Sequence, residues 1–402
     1  MNKITVLLGL CVILIFSNRG LPATLPLQHV RGLWVVRNTL TSAGKIDTLL
    51  SFAREYGITD LFVQVRGRGD AYYNSKYEPR ANNLTDRNFD PLGYLLSQSV
   101  NDSLRIHAWL NVFYVWSKDT LPGNGNHIVR RRADWLARPL NQPDMTLNYP
   151  SSTKKAQTEG LYISPMQREA QKYFIGLLED ILSKYAIDGI HLDYIRYPNQ
   201  RFDLHPDVVS GFRRRYVLNP NQFLLNPESF AQKFSIAGYE SFFLQWRKYL
   251  LDGLSDFVRE LSGTIRAHSD KVIISAAVKP DIAAAHWDFY QDWDRWLREG
   301  WLDYAIPMNY TPDSELFQRR IDSYLEKLPA DKYLVGIALY NQTPEASIPK
   351  IARIMALGNA GFVLFSYNQL PRQKKVADFI KNGFRKDPRF KSGGNPHHIQ
   401  TH

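Results

Sequence analysis

Cysteine is almost absent from this 402-residue chain, since Cys11 is the only one. It lies in an apolar stretch near the N-terminus, so disulfides cannot stabilise the remainder of the chain. With 44% hydrophobic and 22% charged residues, the chain has the composition of a folded globular protein, and its stability must come from a large core. The length suits either two average domains or one large α/β barrel.

Long apolar runs are also scarce. Only Ile4 to Phe16 forms one, and its 13 residues are too short for an ordinary membrane span. Lys3 precedes the run and the polar segment 17–20 follows it, which is the pattern of a signal peptide. We therefore predict a signal peptide over 1–23 and an exported protein. Its location is periplasmic or extracellular, with association with the envelope as an option. We predict no integral membrane domain in the mature chain.

Several patterns that mark other functions are missing. The chain has no Gly-x-Ser-x-Gly elbow, no phosphate-binding loop, no glycine-rich dinucleotide turn and no His, Cys and Asp cluster at metal-ligand spacing. It also has no zinc-finger, helix-turn-helix or RNP motif. We therefore expect no cofactor, no metal and no nucleic-acid partner. The net charge of +11 suits an anionic partner such as a cell-wall polymer.

Strand-like and helix-like segments alternate along the rest of the chain. The strand candidates are 31–36, 60–66, 105–111, the start of 188–198, 271–278, 302–309, 333–339 and 361–365. This alternation predicts a parallel sheet with right-handed crossovers, and eight repeats predict an α/β fold of the (β/α)8 TIM-barrel type over 28–384. A doubly wound open sheet is the alternative. The basic tail, 385–402, is predicted to be disordered and not to bind a metal.

Two long insertions, 113–163 after the third strand and 199–235 after the fourth, are rich in proline and predicted to be irregular. Both follow carboxyl ends of barrel strands, so we expect them to form the walls of a cleft for an extended ligand. Their aromatic residues either anchor the loops or contact ligand, and we expect ligand contact from one or two of them. These residues are Trp116, Trp135, Tyr149, Phe202 and Phe223.

The segment from Asp188 to Pro198 has the pattern of an inner barrel strand. Alternate side chains of a strand share a face, so Ile190 and Leu192 point one way while His191 and Asp193 point the other. Ionisable residues on the inner face at the carboxyl end of a barrel strand rise into an active site. The alternative is a buried strand in which Asp193 pairs with Arg196.

Other strand ends also carry polar side chains. Amide and carboxylate groups hydrogen-bond hydroxyl groups, and aromatic faces stack on sugar rings, so such a set suits a neutral polyhydroxylated substrate. The set comprises Gln64, Arg66, His107, Asn111, Ser275, Lys279, Asn309 and Tyr310.

Motifs at 31–34, 64–73, 107–111, 188–198 and 307–310 occur in an order that resembles the glycoside hydrolase-like 10 family of secreted bacterial proteins, over about 30–370. The resemblance implies a TIM-barrel glycosidase, and members of the family are linked to cell-wall glycan. The chain departs from the family at Met308, where Gln is frequent. It departs again at Tyr194 to Arg196, where many members carry a second acidic residue after Asp193. The chain also has a weaker similarity to family 18 chitinases, but it lacks their acid Glu, because Ile195 stands at that position.

Glycoside cleavage ordinarily needs two carboxyl groups. The resemblance makes Asp193 the first candidate and Asp70, just past the second strand, the other, with loop capping as the alternative role of Asp70. Asp313 and Glu345 are further candidates for an acid or base. Substrate contacts are predicted for Arg66, His107, Asn111, His191, Arg196, Asn309 and Tyr310. Arg66 suits a structural role equally well, and an inner-barrel histidine such as His191 is more often a satisfied core group.

The leading prediction is an exported glycoside hydrolase whose partner is a polysaccharide, an amino-sugar polymer with peptidoglycan glycan strands as the first choice. One alternative is a catalytically degenerate barrel that binds cell-wall glycan without cleaving it. Another is a glycosidase for a different extracellular polysaccharide. No oligomeric state is predicted.

Overall fold

The computed structural model describes residues 30–118, 120–140, 158–357 and 361–386. The predicted signal peptide, Tyr149 and nearly all of the predicted tail lie outside these ranges. Within them, eight parallel strands form one sheet in the order β8-β7-β6-β3-β2-β1-β10-β9, and β4 and β5 form a small antiparallel pair. The strands are β1 (Arg31–Val35), β2 (Asp60–Arg66), β3 (Arg105–Asn111), β4 (Tyr114–Trp116), β5 (Leu161–Tyr162), β6 (Gly189–Asp193), β7 (Ile273–Val278), β8 (Tyr304–Pro307), β9 (Leu334–Ala338) and β10 (Gly361–Phe365).

The sheet closes on itself. Parallel bridges between Ala305 and Tyr333 and between Met308 and Gly336 join β8 to β9, and β1 pairs in parallel with β10. Closure confirms the predicted (β/α)8 barrel over the open-sheet alternative.

Helices connect the strands and cover the outside of the barrel. They are α1 (Ala43–Tyr56), α2 (Pro91–Ser99), α3 (Ile128–Arg131), α4 (Arg168–Lys184), α5 (Pro206–Tyr216), α6 (Pro220–Leu224), α7 (Pro227–Phe234), α8 (Ile236–His268), α9 (Ile282–Phe289), α10 (Trp293–Arg298), α11 (Ser314–Lys327), α12 (Pro344–Ala356) and α13 (Lys374–Lys386), with 3-10 turns at Arg37–Thr41, Ala133–Trp135, Ala330–Lys332 and Leu370–Arg372. Even α8, with 33 residues, lacks the apolar character of a membrane span, as do the other helices in the described part of the chain.

The first helix shows how the sequence determines these elements. Ile46, Leu49, Leu50 and Ala53 recur at helical spacing, and all four are buried against the barrel. The helix ends where Gly57 takes a left-handed conformation (φ 64°) and donates its N–H to Ala53 O and Arg54 O. Glycine adopts this conformation without the steric cost that a side chain would bring.

The second insertion differs from the prediction of an irregular segment, because it forms α5, α6 and α7. Pro206, Pro220 and Pro227 each stand in the first turn of one of these helices. A first-turn N–H has no helical partner, so proline costs nothing there and its fixed φ favours the helix. The prolines that suggested irregular chain therefore start helices.

Large side chains fill the inside of the barrel. Trp34, Phe62, Trp109, Ile306 and Val363 belong to one buried cluster drawn from five different strands. The interior of the barrel is therefore a packed core, as is usual for this fold, and it leaves no room for a ligand among the described residues.

Candidate active site

A cleft of about 510 Å³ lies at the carboxyl ends of the barrel strands, a volume typical of ligand sites. We call it the main cleft. Its aromatic side chains include Trp34, Trp109, Tyr114, Tyr310, Tyr340 and Phe365, and its charged ones are Arg37, Arg68, Glu159, Asp193, Arg196 and Lys279. Aromatic faces and charged groups of both signs thus line one concave surface.

Asp193, the last residue of β6, lies in the main cleft and is only 7% exposed. Trp109 Nε1 donates to its Oδ2 at 3.1 Å, and the backbone N–H of Tyr194 donates to its Oδ1 at 2.7 Å. Burial raises the pKa of Asp193 to about 6, against the opposing effects of nearby Arg196 and of these two hydrogen bonds. The side chain is therefore poised to hold or release a proton near neutral pH.

The backbone turns sharply directly after Asp193. Tyr194 has φ 52°, in the left-handed region that is costly for a bulky residue. Its ring stacks on Tyr114, with centroids 4.5 Å apart, and the guanidinium carbon of Arg196 lies 4.8 Å from the ring centre. These contacts hold a turn that aims the Tyr194 N–H back at the carboxylate.

Glu159 is the second carboxyl group of the main cleft, and it is not among the site residues predicted from the sequence. Its side chain, 51% exposed, accepts hydrogen bonds from Arg196 Nη2 at 3.1 Å and from the Tyr162 hydroxyl. Burial would raise the pKa of Glu159, but Arg196, Tyr162 and Lys279 outweigh it and lower the pKa. No sequence motif surrounds Glu159, and its pairing with Arg196 exists only in the folded chain.

Two of the four cations that line the main cleft, Arg196 and Lys279, lie near its carboxyl groups. Arg196 is buried and hydrogen-bonds Glu159, where the sequence analysis weighed a pair with Asp193. Lys279 follows β7, and its Nζ lies 4.1 Å from the centre of the Phe289 ring. Burial, reinforced by repulsion from Arg196, lowers the pKa of Lys279 to about 8.

Asn111 and Tyr310 lie in the main cleft, as expected for substrate contacts. Asn111 Nδ2 donates to Gly67 O at 2.8 Å, and its Oδ1 accepts from Trp109 Nε1 at 3.0 Å, so the amide is fixed in orientation. The Tyr310 ring meets Trp34 edge to face, with centroids 6.1 Å apart. Burial raises the pKa of Tyr310 well above its ordinary value, so its hydroxyl stays neutral.

His191 and His107, also predicted to contact substrate, lie in the barrel interior beneath the main cleft. Trp34 Nε1 donates to His191 Nε2 at 3.0 Å, and the opposite ring nitrogen is 2.9 Å from Ser275 Oγ. Burial lowers the pKa of His191 well below its ordinary value, so the ring is neutral and donates to Ser275. His107 Nε2 bonds Asp60 Oδ1 at 2.8 Å. Direct substrate contact does not follow from these positions. Both rings are buried core groups: both nitrogens of His191 are hydrogen-bonded, whereas Nδ1 of His107 has no hydrogen-bond partner among the described residues.

Arg66 and Asn309 point away from the main cleft. The pairing of β2 with β3 shifts register between Gln64 and Arg66, so Gln64 faces the cleft while Arg66 turns outward. There, Arg66 Nη2 forms a buried ion pair with Glu78 Oε1 at 2.6 Å. Asn309 is fully buried and joins the end of β8 to α11 through the carbonyl of Phe317 at 3.2 Å. The structure gives both residues packing contacts in place of the predicted substrate contacts.

Asp70 lies in a different cleft, of about 310 Å³, which we call the side cleft. Arg37 and Arg68 line both clefts, so the two adjoin. Asp70 Oδ1 accepts the backbone N–H of Arg68 at 2.8 Å, which is the loop-capping role weighed as the alternative. Glu159, and not Asp70, therefore shares the main cleft with Asp193.

Asp313 and Glu345, the further acid or base candidates, also lie outside both clefts. Asp313 caps α11 by accepting the N–H groups of Glu315 and Leu316, and Glu345 pairs with Lys375 at 2.9 Å. Among the insertion aromatics, Trp116 lines the side cleft. Trp135, Phe202 and Phe223 are buried and anchor their loops.

One group of the described residues has the spacing of a metal site, and it lies outside both clefts. The ligand atoms of His286, Asp292 and Asp294 lie within 4.8 Å of one another. Burial would lower the pKa of His286, but hydrogen bonds to both carboxylates raise it to about 9, so the ring is protonated at neutral pH. Arg298 also pairs with Asp294 at 2.8 Å. Because cations already occupy these carboxylates, an ion-pair network accounts for the group.

Among solved structures with this fold is the glycoside hydrolase domain of PgaB (BpsB) from Bordetella bronchiseptica. It superposes with a TM-score of 0.61 at 12% identity, over 88% of this chain and 98% of that one. At such low identity the likeness concerns the fold alone. The class that the fold defines is a TIM barrel with a cleft at the carboxyl ends of its strands.

The particular family follows from sequence. The chain belongs to the Glycosyl hydrolase-like 10 family, whose model matches residues 29–355, and the predicted resemblance is thereby confirmed. Glycosyl hydrolase YngK of Bacillus subtilis (strain 168) is 24% identical in an alignment 286 residues long that covers 65% of this chain and 48% of YngK. Glycosyl hydrolase DigH of Escherichia coli (strain K12) is 23% identical in an alignment 384 residues long that covers 83% of this chain and 78% of DigH. The chain thus spans about half the length of YngK.

Proposed function

We propose that this protein is an exported glycoside hydrolase that cleaves an amino-sugar polymer, with peptidoglycan glycan strands as its substrate. The observation that carries the proposal is the pair of carboxyl groups in the main cleft. Burial raises the pKa of Asp193 to about 6, whereas the cations around Glu159 outweigh burial and lower its pKa. Two carboxyl groups whose environments separate their pKa values are the usual source of an acid and a base in glycosidases.

In this mechanism Asp193 is the general acid. Its raised pKa keeps a proton available in weakly acidic solution, and the proton passes to the glycosidic oxygen as the bond to the anomeric carbon breaks. Glu159, held ionised by Arg196, supplies the negative charge that either activates a water molecule or attacks the anomeric carbon. In the water-activating route Glu159 takes a proton from the water as its hydroxyl joins the anomeric carbon, and proton exchange with solvent then ionises Glu159 and reprotonates Asp193. In the nucleophilic route water hydrolyses the ester between Glu159 and the sugar, so that its hydroxyl joins the anomeric carbon and its proton goes to Asp193.

The remaining side chains of the main cleft position the sugar. The partly exposed rings of Tyr310 and Phe365 offer apolar faces on which a pyranose ring can stack. Asn111 and the neutral Tyr310 hydroxyl offer hydrogen bonds to sugar hydroxyl or N-acetyl groups. Membership of the family and relatives named glycosyl hydrolases support the reaction class. The positive net charge supports an acidic glycan as the substrate.

The test is to incubate the purified protein with intact and with peptide-stripped sacculi and to analyse the soluble products by chromatography and mass spectrometry. We expect saccharides from the unaltered protein, and none from Asp193→Asn or Glu159→Gln. Glu345→Gln is the matched control, because Glu345 is exposed, lies outside both clefts and should leave the products unchanged. Soluble products from chitin or starch, with none from sacculi, would show that the substrate is another polysaccharide.

A barrel that binds cell-wall glycan without cleaving it is the second candidate. The observation in its favour is that the segment from Tyr194 to Arg196 has no acidic residue where many family members carry a second one after Asp193. In addition, both carboxylate oxygens of Glu159 already accept hydrogen bonds. This candidate predicts co-sedimentation with sacculi and no soluble saccharide under any condition. Release of saccharides that depends on Asp193 eliminates it.

A further inference from the structure

The side cleft has a marked excess of positive charge. Arg37, Arg68, Arg80 and Lys118 line it, and Asp70 is its one carboxylate among the described residues. His127 also lines it but adds no charge: burial lowers the pKa of His127, and its Nε2 hydrogen-bonds the backbone carbonyl of Arg68 at 2.6 Å. The described residues therefore place four cations against one anion in a cleft of about 310 Å³.

Ion pairs within the described part of the chain do not account for these cations. Arg37 Nη1 contacts the neutral amide of Gln64 at 3.3 Å, and Arg80 Nη2 donates to the carbonyls of Asp86 and Phe89 at 2.5 Å each. Lys118 is exposed, with its Nζ 5.9 Å from the centre of the Trp116 ring. Each contact is with a neutral group, so the positive charge remains for a ligand.

The backbone holds one of these cations at the junction of the two clefts. Gly67 follows β2, and a Cβ at this position would overlap the guanidinium and Cδ of Arg37. The Arg37 side chain therefore lies directly on the Gly67 backbone, in a place that a glycine alone leaves open. The Gly67 carbonyl in turn accepts from Asn111 in the main cleft.

An aromatic side chain stands beside the cations. Trp116 lines the side cleft, and its Nε1 donates to Thr120 O at 2.6 Å, which fixes the ring. A fixed indole offers a face for a sugar ring, while guanidinium groups match the geometry of a carboxylate. Neither feature alone specifies a ligand, but together they specify a sugar that bears a carboxylate.

We propose that the side cleft is a subsite for a carboxylate-bearing sugar residue of the glycan, adjacent to the residue that occupies the main cleft. This inference rests on the proposed function, because it takes one glycan strand to extend across both clefts. The shared residues Arg37 and Arg68 give such a strand a continuous surface.

The test measures binding, so that it does not depend on hydrolysis. The full chain carrying Asp193→Asn is titrated calorimetrically with a tetrasaccharide of alternating N-acetylglucosamine and N-acetylmuramic acid. It is then titrated with the same tetrasaccharide after reduction of its carboxylates to alcohols. We expect the neutral form to bind about tenfold more weakly at low salt, and the difference to fall to about twofold in 0.5 M NaCl, because salt screens exposed charges. A hyaluronan tetrasaccharide shows whether a uronic acid serves equally well, and the tighter of the two acidic ligands identifies the carrier of the carboxylate.

Variants locate the effect. In the same background, Lys118→Gln should weaken binding of the acidic tetrasaccharide about threefold and leave the neutral one unchanged. Lys118 is exposed, so this variant should fold. Lys172→Gln is the matched control, since Lys172 is 72% exposed, lies outside both clefts and should change neither affinity.

Equal affinity for acidic and neutral tetrasaccharides, with no effect of Lys118→Gln, would overturn the subsite while leaving any hydrolysis of sacculi in place. Charge-dependent binding without hydrolysis of any glycan would overturn the proposed reaction and leave the subsite in place. Absence of binding to both tetrasaccharides would overturn both.

Discussion

Replacing Asp193 by asparagine should stabilise the fold in neutral and alkaline solution while it abolishes hydrolysis. The raised pKa of Asp193 means that the folded chain disfavours its ionised form. A rise from 3.8 to about 6 corresponds to about 3 kcal/mol, since each pKa unit is worth about 1.4 kcal/mol. The wild-type chain should therefore lose about this much unfolding free energy from Asp193 as the pH rises from about 4 to about 7. Asparagine cannot ionise and escapes this loss.

The hydrogen bonds of Asp193 determine a second effect of the substitution on the free energy of unfolding. An asparagine Oδ1 can still accept the N–H of Tyr194, but its Nδ2 would face Trp109 Nε1, and two donors would then meet. Trp109 Nε1 keeps its other acceptor, Asn111 Oδ1 at 3.0 Å, which limits the cost. That cost does not vary with pH, so it shifts the whole curve of the variant without changing its shape.

The assay is urea denaturation of both proteins at pH 4, 5, 6, 7 and 8, with the free energy of unfolding taken at each pH. Other groups titrate in this range, but they cancel when the two curves are subtracted. We expect the difference to favour the variant increasingly from pH 4 to pH 7 and then to level off. A difference that is the same at pH 4 and pH 8 to within about 0.5 kcal/mol would refute the reasoning that burial disfavours the ionised carboxylate.

Other substitutions separate the roles of the remaining charged residues. Glu159→Gln should lower the rate of sacculus hydrolysis by at least about 100-fold and leave the thermal midpoint close to that of the wild type. Asp70→Asn should lower this rate far less, and equal losses in the two variants would indicate that Asp70 is catalytic. Arg66→Met leaves Glu78 buried without its partner and should lower the free energy of unfolding in urea by about 3–5 kcal/mol. The Arg66→Met/Glu78→Met double variant should recover most of this loss, and a loss below about 1 kcal/mol in the single variant would contradict the buried pair. The raised pKa of His286 stabilises the fold fully below pH 6.5, and this contribution is lost as the pH rises through about 9. His286→Gln should therefore lower the free energy of unfolding more at pH 6 than at pH 9.5. A loss that does not depend on pH would argue against the protonated ring.

The barrel was accessible to prediction because its signals are local and repeated. Alternating strand-like and helix-like runs predict a parallel sheet, and the strand candidates at 60–66, 105–111 and 361–365 coincide with β2, β3 and β10. Prediction failed where a local signal has two physical meanings, as with the prolines of α5, α6 and α7.

The site was harder to predict because it depends on which way each side chain turns. Asp193, Asn111 and Tyr310 reach the main cleft as alternation along a strand predicts. Arg66 does not, because the register shift beside it reverses the alternation, and no pattern in the sequence marks that shift. Glu159 was missed for a different reason: it lies 37 positions from Arg196 along the chain, so their contact is a product of tertiary structure.

The pairing of β1 with β10 makes the assembly of the barrel a late event in synthesis. Residues 31–34 of β1 pair with residues 362–365 of β10. One edge of β1 therefore stays unpaired until β10 has been synthesised. Until then the nascent sheet has two open edges whose unpaired N–H and C=O groups can pair with other chains. A chain cut short before β10 would therefore be an open sheet prone to aggregation.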